Sequence, residues 1–318
     1  MLLMAATLAF GQNNLSVGQY FKIMPAFAPG LTGANGFLDI KVGSRNQSLG
    51  YAETLQTHYF SVNGILMDAR KNPYKYNSLR VGNMSPYEEK PLKIGLGGYL
   101  IDDKAGEVKQ IEGAISSAVH VLIGQDAYLS LGLSAGINST KIDVSKLTVR
   151  NPDRDKTYNA YLANGYRKNS LKSAVGLAVY SNQYYLSYSM MTLFASRREQ
   201  YLGATDKQIA HHIIGSYSFS ADAEFEIIPN FHLSKVERLN TLLELGTRIR
   251  YQHNAYAGIS YRTNNSFIAM LGFAVNNLID VGYSFESAGS NATFSTSGTH
   301  EIVVGLRLFN DGKYVPVW

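Results

Sequence analysis

Tyr128-Leu129-Ser130-Leu131-Gly132-Leu133-Ser134-Ala135-Gly136-Ile137-Asn138 alternates without a break between apolar and small or polar residues. Successive side chains of a β-strand point to opposite faces. Leu129, Leu131, Leu133, Ala135 and Ile137 therefore share one face, and Tyr128, Ser130, Gly132, Ser134, Gly136 and Asn138 the other. A helix would repeat its apolar positions every three or four residues, and this stretch does not. It reads as a strand with one apolar side and one wet side. The same division separates Val281, Tyr283 and Phe285 from Asp280, Gly282, Ser284 and Glu286, and Ile302, Val304, Leu306 and Leu308 from Glu301, Gly305 and Arg307.

Outward from this segment the pattern recurs in runs of about 8 to 12 residues bounded by Gly, Asn, Asp and Ser, with almost no helical periodicity after Phe37. Candidate strands begin near Phe37, Thr54, Leu92, Ile111, Ala127, Leu171, Tyr184, Gln208, Phe225, Thr241, Ala255, Ser266, Ile279 and Thr299. An even count, apolar-out and polar-in alternation, and 22 Tyr for aromatic girdles predict an all-β fold. The expected architecture is a transmembrane antiparallel outer-membrane β-barrel of about 14 strands, spanning 37–309. Sandwiches and propellers also alternate, but they pack both sheet faces and need more apolar interiors.

Composition excludes the competing classes. Of 318 residues, 45% are hydrophobic, too many for intrinsic disorder. No run reaches the ~18 to 20 apolar residues of a spanning helix. The chain has no Cys, which removes disulfide scaffolds, zinc ribbons and thiol nucleophiles. Its 29 Lys and Arg are scattered, so the net charge of +5 predicts no nucleic-acid partner.

The termini read differently from the barrel. Met1 to Gly11 (MLLMAATLAFG) has the apolar core and small-residue end of a signal peptide, without its charged start. Residues 12–36 include Pro25, Pro29 and several Gly and cannot lie in mid-sheet. They are expected to fold into the lumen as a partial plug or to lie at the periplasmic rim. Residues 310–318 form a C-terminal extension past the last strand.

Even-numbered connections are mostly tight, as in Ser181-Asn182-Gln183 and Gln252-His253-Asn254, and odd ones mostly long, as in Thr148 to Ser170. Outer-membrane barrels have short periplasmic turns and longer external loops. The exception is Met67 to Pro91, a long loop that then faces the periplasm. Its Arg70, Lys71, Tyr74, Tyr76, Arg80 and Tyr87 form a candidate partner-binding surface, because Tyr and Arg are enriched at interface hot spots.

Residues with chemistry are few. Of the seven His, adjacent His211 and His212 point to opposite faces of a strand and cannot chelate one metal together. No H-E-x-x-H pattern and no G-x-S-x-G strand-to-helix elbow occurs, so neither an enzyme nor a cofactor is predicted. Gly95-Leu96-Gly97-Gly98 has no helix behind it to cradle phosphate, and these glycines suit close backbone approach or wall curvature. Asp102-Asp103-Lys104-Ala105-Gly106 reads as a polar turn between strands. Glu244, Arg248, Arg250, Arg262, Asp280, Glu286, Glu301 and Arg307 occupy polar positions, and charges are costly against lipid, so all eight are expected to line the lumen. There they form either a stiffening ion-pair lattice or a selectivity constriction.

The chain resembles the PorP/SprF family of the type IX secretion system of Bacteroidetes nearly end to end. Gln19-Tyr20 followed by Met24-Pro25-Ala26-Phe27-Ala28-Pro29-Gly30-Leu31-Thr32-Gly33 is similar to the family's opening. Arg45-Asn46-Gln47, Gly95 to Gly106, Leu129 to Gly136, Gly258-Ile259-Ser260-Tyr261-Arg262 and His300-Glu301-Ile302 follow in the family's order. The resemblance implies a non-enzymatic barrel in the bacterial outer membrane, in contact with its lipid. It also implies work with secretion and gliding components, and in some members export of a paired surface adhesin. The alternative from the residues alone is a general porin for small solutes, since barrels of this size can enclose water.

Overall fold

A computed structural model describes residues 17–47, 55–68, 91–146, 156–195, 207–237, 239–276, 278–287 and 298–309. The expected signal peptide, 1–11, and C-terminal extension, 310–318, lie outside these residues. The strands are β1 (Leu38–Gln47), β2 (Leu55–Asp68), β3 (Leu92–Ala105), β4 (Val108–Leu122), β5 (Tyr128–Ile142), β6 (Tyr166–Tyr180), β7 (Tyr184–Ala195) and β8 (Lys207–Tyr217). They continue as β9 (Phe219–Ser220), β10 (Phe225–Val236), β11 (Leu242–Tyr251), β12 (Ala255–Arg262), β13 (Ser266–Ala274), β14 (Ile279–Glu286) and β15 (Thr299–Leu308). Both β8 and β9 run along β10 and make one stave. β15 pairs with β1 from Leu38↔Leu308 to Gln47↔Thr299, and the ring of antiparallel staves closes. The protein is a closed fourteen-stave barrel.

Among the described residues, closure pairs each stave on both sides and so leaves no open sheet edge to template aggregation. The outer surface carries the apolar residues: Leu129, Leu131, Leu133 and Ile137 on β5 are 45–62% exposed, whereas Tyr128 and Ser130 between and beside them are buried. Tyr217, Phe219, Phe225 and Tyr251 cluster on the outer face near the short-turn end, where an aromatic girdle anchors a barrel in the interface. Leu131→Arg should therefore cost about 2–4 kcal/mol and lower the yield of heat-modifiable barrel. Gln110→Arg, on the inner face, should assemble normally. Ser130→Arg is no mild control, because the Ser130 hydroxyl donates to the Gly30 carbonyl at 2.6 Å.

Two boundaries differ from the sequence reading. β4 begins at Val108 and β6 at Tyr166, each earlier than alternation places it. Asp102 to Ala105 lie within β3, and only Gly106-Glu107 turn the chain. A helix, Lys156–Asn164, occupies the long β5–β6 connection. It stops at Gly165, whose φ of +70° suits glycine and whose N–H closes on the Tyr161 carbonyl at 2.7 Å.

The interior is packed. Residues 17–33 are all buried and lie inside the ring as a 3-10 turn (Tyr20–Ile23), one helical turn (Met24–Phe27) and a second 3-10 turn (Pro29–Leu31). Tyr20, Phe21, Ile23, Phe27 and Leu31 form an apolar core with the inward Tyr128, Tyr180, Tyr185, Ile214, Met270 and Val303 of the wall.

Candidate functional site

The amino-terminal segment meets the wall in three chemically distinct zones. At its start, the Glu301 carboxylate accepts the backbone N–H groups of Gly18 at 2.7 Å and Gln19 at 3.2 Å, and the Tyr59 hydroxyl at 3.0 Å. Arg262 donates to the Val17 carbonyl while holding Glu244 at 2.8 Å and Glu286 at 2.8 Å. Arg45 completes this lattice, 3.0 Å from Glu286 and 3.6 Å from Glu301.

The second zone centres on Asp280. Its carboxylate receives Lys22 at 2.6 Å, Lys41 at 2.7 Å and Arg307 at 3.1 Å, and Asp39 shares Lys41 at 2.7 Å. Burial pushes the Lys22 ammonium down from its ordinary value, and Asp280 opposes that shift. Arg248 stacks its guanidinium 3.9 Å from the centre of the Phe21 ring. Desolvating such pairs costs nearly what their attraction returns, so they fix position more than they add stability.

In the third zone the wall offers small residues to the segment's backbone. Ser130 binds the Gly30 carbonyl at 2.6 Å, and Ser189 the Phe27 carbonyl at 2.5 Å. Thr32 is gripped twice, its hydroxyl by Ser116 at 2.9 Å and its carbonyl by His120 Nε2 at 2.9 Å. A Cβ on Gly95 would run into the Thr32 carbonyl, and one on Gly132 into the Pro29 carbonyl. Only glycine permits this approach.

All eight charged residues singled out above point inward, from Glu244 and Arg248 on β11 to Glu301 and Arg307 on β15. Arg250 joins Glu226 rather than the segment. Arg70, Lys71, Tyr74, Tyr76, Arg80 and Tyr87 lie outside the described residues. Sequence reasoning missed Ser116, His120, Ser130 and Ser189, whose alternation signals only an inward face. It also missed His212 and His232, whose rings meet at 3.0 Å against Phe27. Among the described residues no group of three or more His, Cys, Asp or Glu is placed to hold a metal ion. Beside Phe27 a small cavity of about 60 Å³ remains, lined by Ile101, Asp103, Glu112, Lys172, Met191 and His212.

Residues 9–306 match the family model described as type IX secretion system membrane protein PorP/SprF. The chain belongs to the PorP/SprF family. It is an outer-membrane β-barrel of the type IX secretion system. The opening Gln19 to Gly33 of this PorP/SprF chain is the segment that the wall encloses. A search of curated proteins finds no match. Similar solved structures include Acinetobacter baumannii Omp33, at 11% identity and TM-score 0.46, covering 86% of this chain and 100% of that one. The Pseudomonas putida toluene transporter TodX is similar at 8% identity and TM-score 0.44, covering 85% and 88%. The translocator domain of the Neisseria meningitidis autotransporter NalP is similar at 10% identity and TM-score 0.39, covering 86% and 88%.

Proposed function

We propose that this PorP/SprF barrel is a closed scaffold that assists export or surface attachment of an adhesin-type partner protein, and that residues 12–36 are its plug. The observation that supports this reading is the filled lumen: residues 17–33 are buried and held by charge pairs and by wall glycines. The lumen charges then act as a lock on the plug, not as a selectivity constriction. With the lumen occupied, partners must dock at the rims, and the loop carrying Arg70, Lys71, Tyr74, Tyr76, Arg80 and Tyr87 is the proposed periplasmic contact.

Two measurements test this. Proteoliposomes of the full-length protein should not swell in small sugars, whereas a general porin would pass them. Replacing residues 72–86 with a short Gly-Ser turn should preserve heat-modifiable assembly and abolish both partner co-purification and substrate export. Normal export from that variant would show the loop to be a spacer and would move the contact to the external loops.

A further inference from the structure

The outer face of β3 to β6 carries a row of cations. Lys104 on β3 lies directly opposite Lys109 on β4, Lys109 opposite Lys141 on β5, and Lys141 opposite Arg167 on β6. Each is the second residue from its strand's end, and all four are exposed. Like charges directly opposed across a ladder are destabilising, and here three such contacts follow one another. Asp102 in the outward row below pairs with Lys109 at 3.0 Å, and Arg167 donates to Ser139 at 3.3 Å. Glu107 and Asp143 belong to the rim above.

The row stands where the membrane ends. β3 to β6 have 14 or 15 residues, against 8 to 10 for β11 to β15, and about 9–11 suffice to span a bilayer. The outward apolar belt stops at Ile137 on β5, Leu171 on β6 and Ile111 on β4, and Lys141 follows four residues past Ile137. The row is at the end of the barrel bearing the longer connections, which is the external one.

Beneath it the outer wall is grooved. Ile115, Ala135 and Ser173 are in register, and the small Ala135 and Ser173 leave an apolar trough of about 510 Å³ flanked by Leu96 and Leu133. Ala135 is six residues from Lys141, roughly 20 Å along the strand, about the length of an extended acyl chain.

We propose that this face is a binding site for a phosphorylated lipid of the outer leaflet, with its phosphate on the Lys104, Lys109, Lys141 and Arg167 row and an acyl chain in the trough. Guanidinium and ammonium groups are the usual phosphate ligands, and the bound anion relieves the like-charge ladder. The site goes beyond the scaffold role, since it depends on neither the plug nor the periplasmic loop.

The test is titration of delipidated full-length protein in detergent with diphosphoryl lipid A, read by native mass spectrometry. One lipid per barrel is expected. The variant Lys104→Gln/Lys141→Gln/Arg167→Gln leaves the Lys109–Asp102 pair in place and should bind roughly 100-fold more weakly, at about one cation's electrostatic contribution each. Lys141→Gln alone should lose roughly 5-fold, which keeps the test open if the triple variant assembles poorly. Ala135→Phe/Ser173→Phe should also weaken binding by filling the trough. Equal binding by the triple variant, or equal binding of the fully dephosphorylated lipid, would overturn the proposal. Complete displacement by millimolar inorganic phosphate would show a free-anion site and overturn the lipid assignment.

Discussion

Gly95→Val is expected to unseat the plug. Gly95 faces inward on β3, and any Cβ there collides with the Thr32 carbonyl and crowds the Gly33 backbone. Thr32 cannot retreat, because Ser116 and His120 on β4 hold it at 2.9 Å each. Overpacking a well-packed core costs typically about 1–3 kcal/mol, and more when backbone must move. The variant should lose heat-modifiable stability by at least that amount and admit small sugars in a swelling assay. Leu96→Val, one residue along on the lipid face, should cost under about 1.5 kcal/mol and leave swelling unchanged.

The second large effect is expected from Asp280→Ala. One carboxylate removed leaves Lys22, Lys41 and Arg307 facing each other in a buried site, with Asp39 paired directly to Lys41 and acting on Lys22 from farther away. Removing one member of a buried ion pair costs about 3–5 kcal/mol, mostly from the charges left behind. The melting of the assembled barrel should fall accordingly. Asp280→Ala/Lys22→Met should recover part of the loss, because the second change removes one stranded charge from the same network. Asp102→Ala, which breaks an exposed pair with Lys109, should cost under about 1 kcal/mol.

Where lipid imposes a rule, the sequence was legible. Outward positions in the bilayer must be apolar, so β5, β14 and β15 could be read residue by residue. Above the bilayer the rule lapses, since both faces of a strand meet polar surroundings. That is why Val108 to Gln110 and Tyr166 to Ser170, with Lys109, Arg167 and Lys168 among them, looked like loop and are strand. The inward face posed a different problem. Gly95, Gly132, Ser130 and Ser189 are small and polar as a watery lumen requires, yet they are equally what a close-packed backbone requires. Alternation cannot separate these two environments. Alternation assigns the charges a face and says nothing of their partners, which come from distant positions, as with Lys22 of the amino-terminal segment and Asp280, 258 positions apart. Two prolines in residues 12–36 argued against mid-sheet placement. They carried no information on which side of the wall the segment would lie.

The most direct test of the enclosed plug uses the absence of native cysteine. Thr32 Oγ1 and Ser116 Oγ are 2.9 Å apart across the plug–wall boundary, so Thr32→Cys/Ser116→Cys should bridge readily on mild oxidation in intact outer membranes. Thr32→Cys/Ser117→Cys is the control, because alternation turns Ser117 to the outer face. The account predicts a disulfide-linked peptide in nearly all assembled barrels of the first variant and in none of the second. A reduced Thr32→Cys/Ser116→Cys protein in assembled, heat-modifiable barrels would contradict it and place the amino-terminal segment outside the lumen.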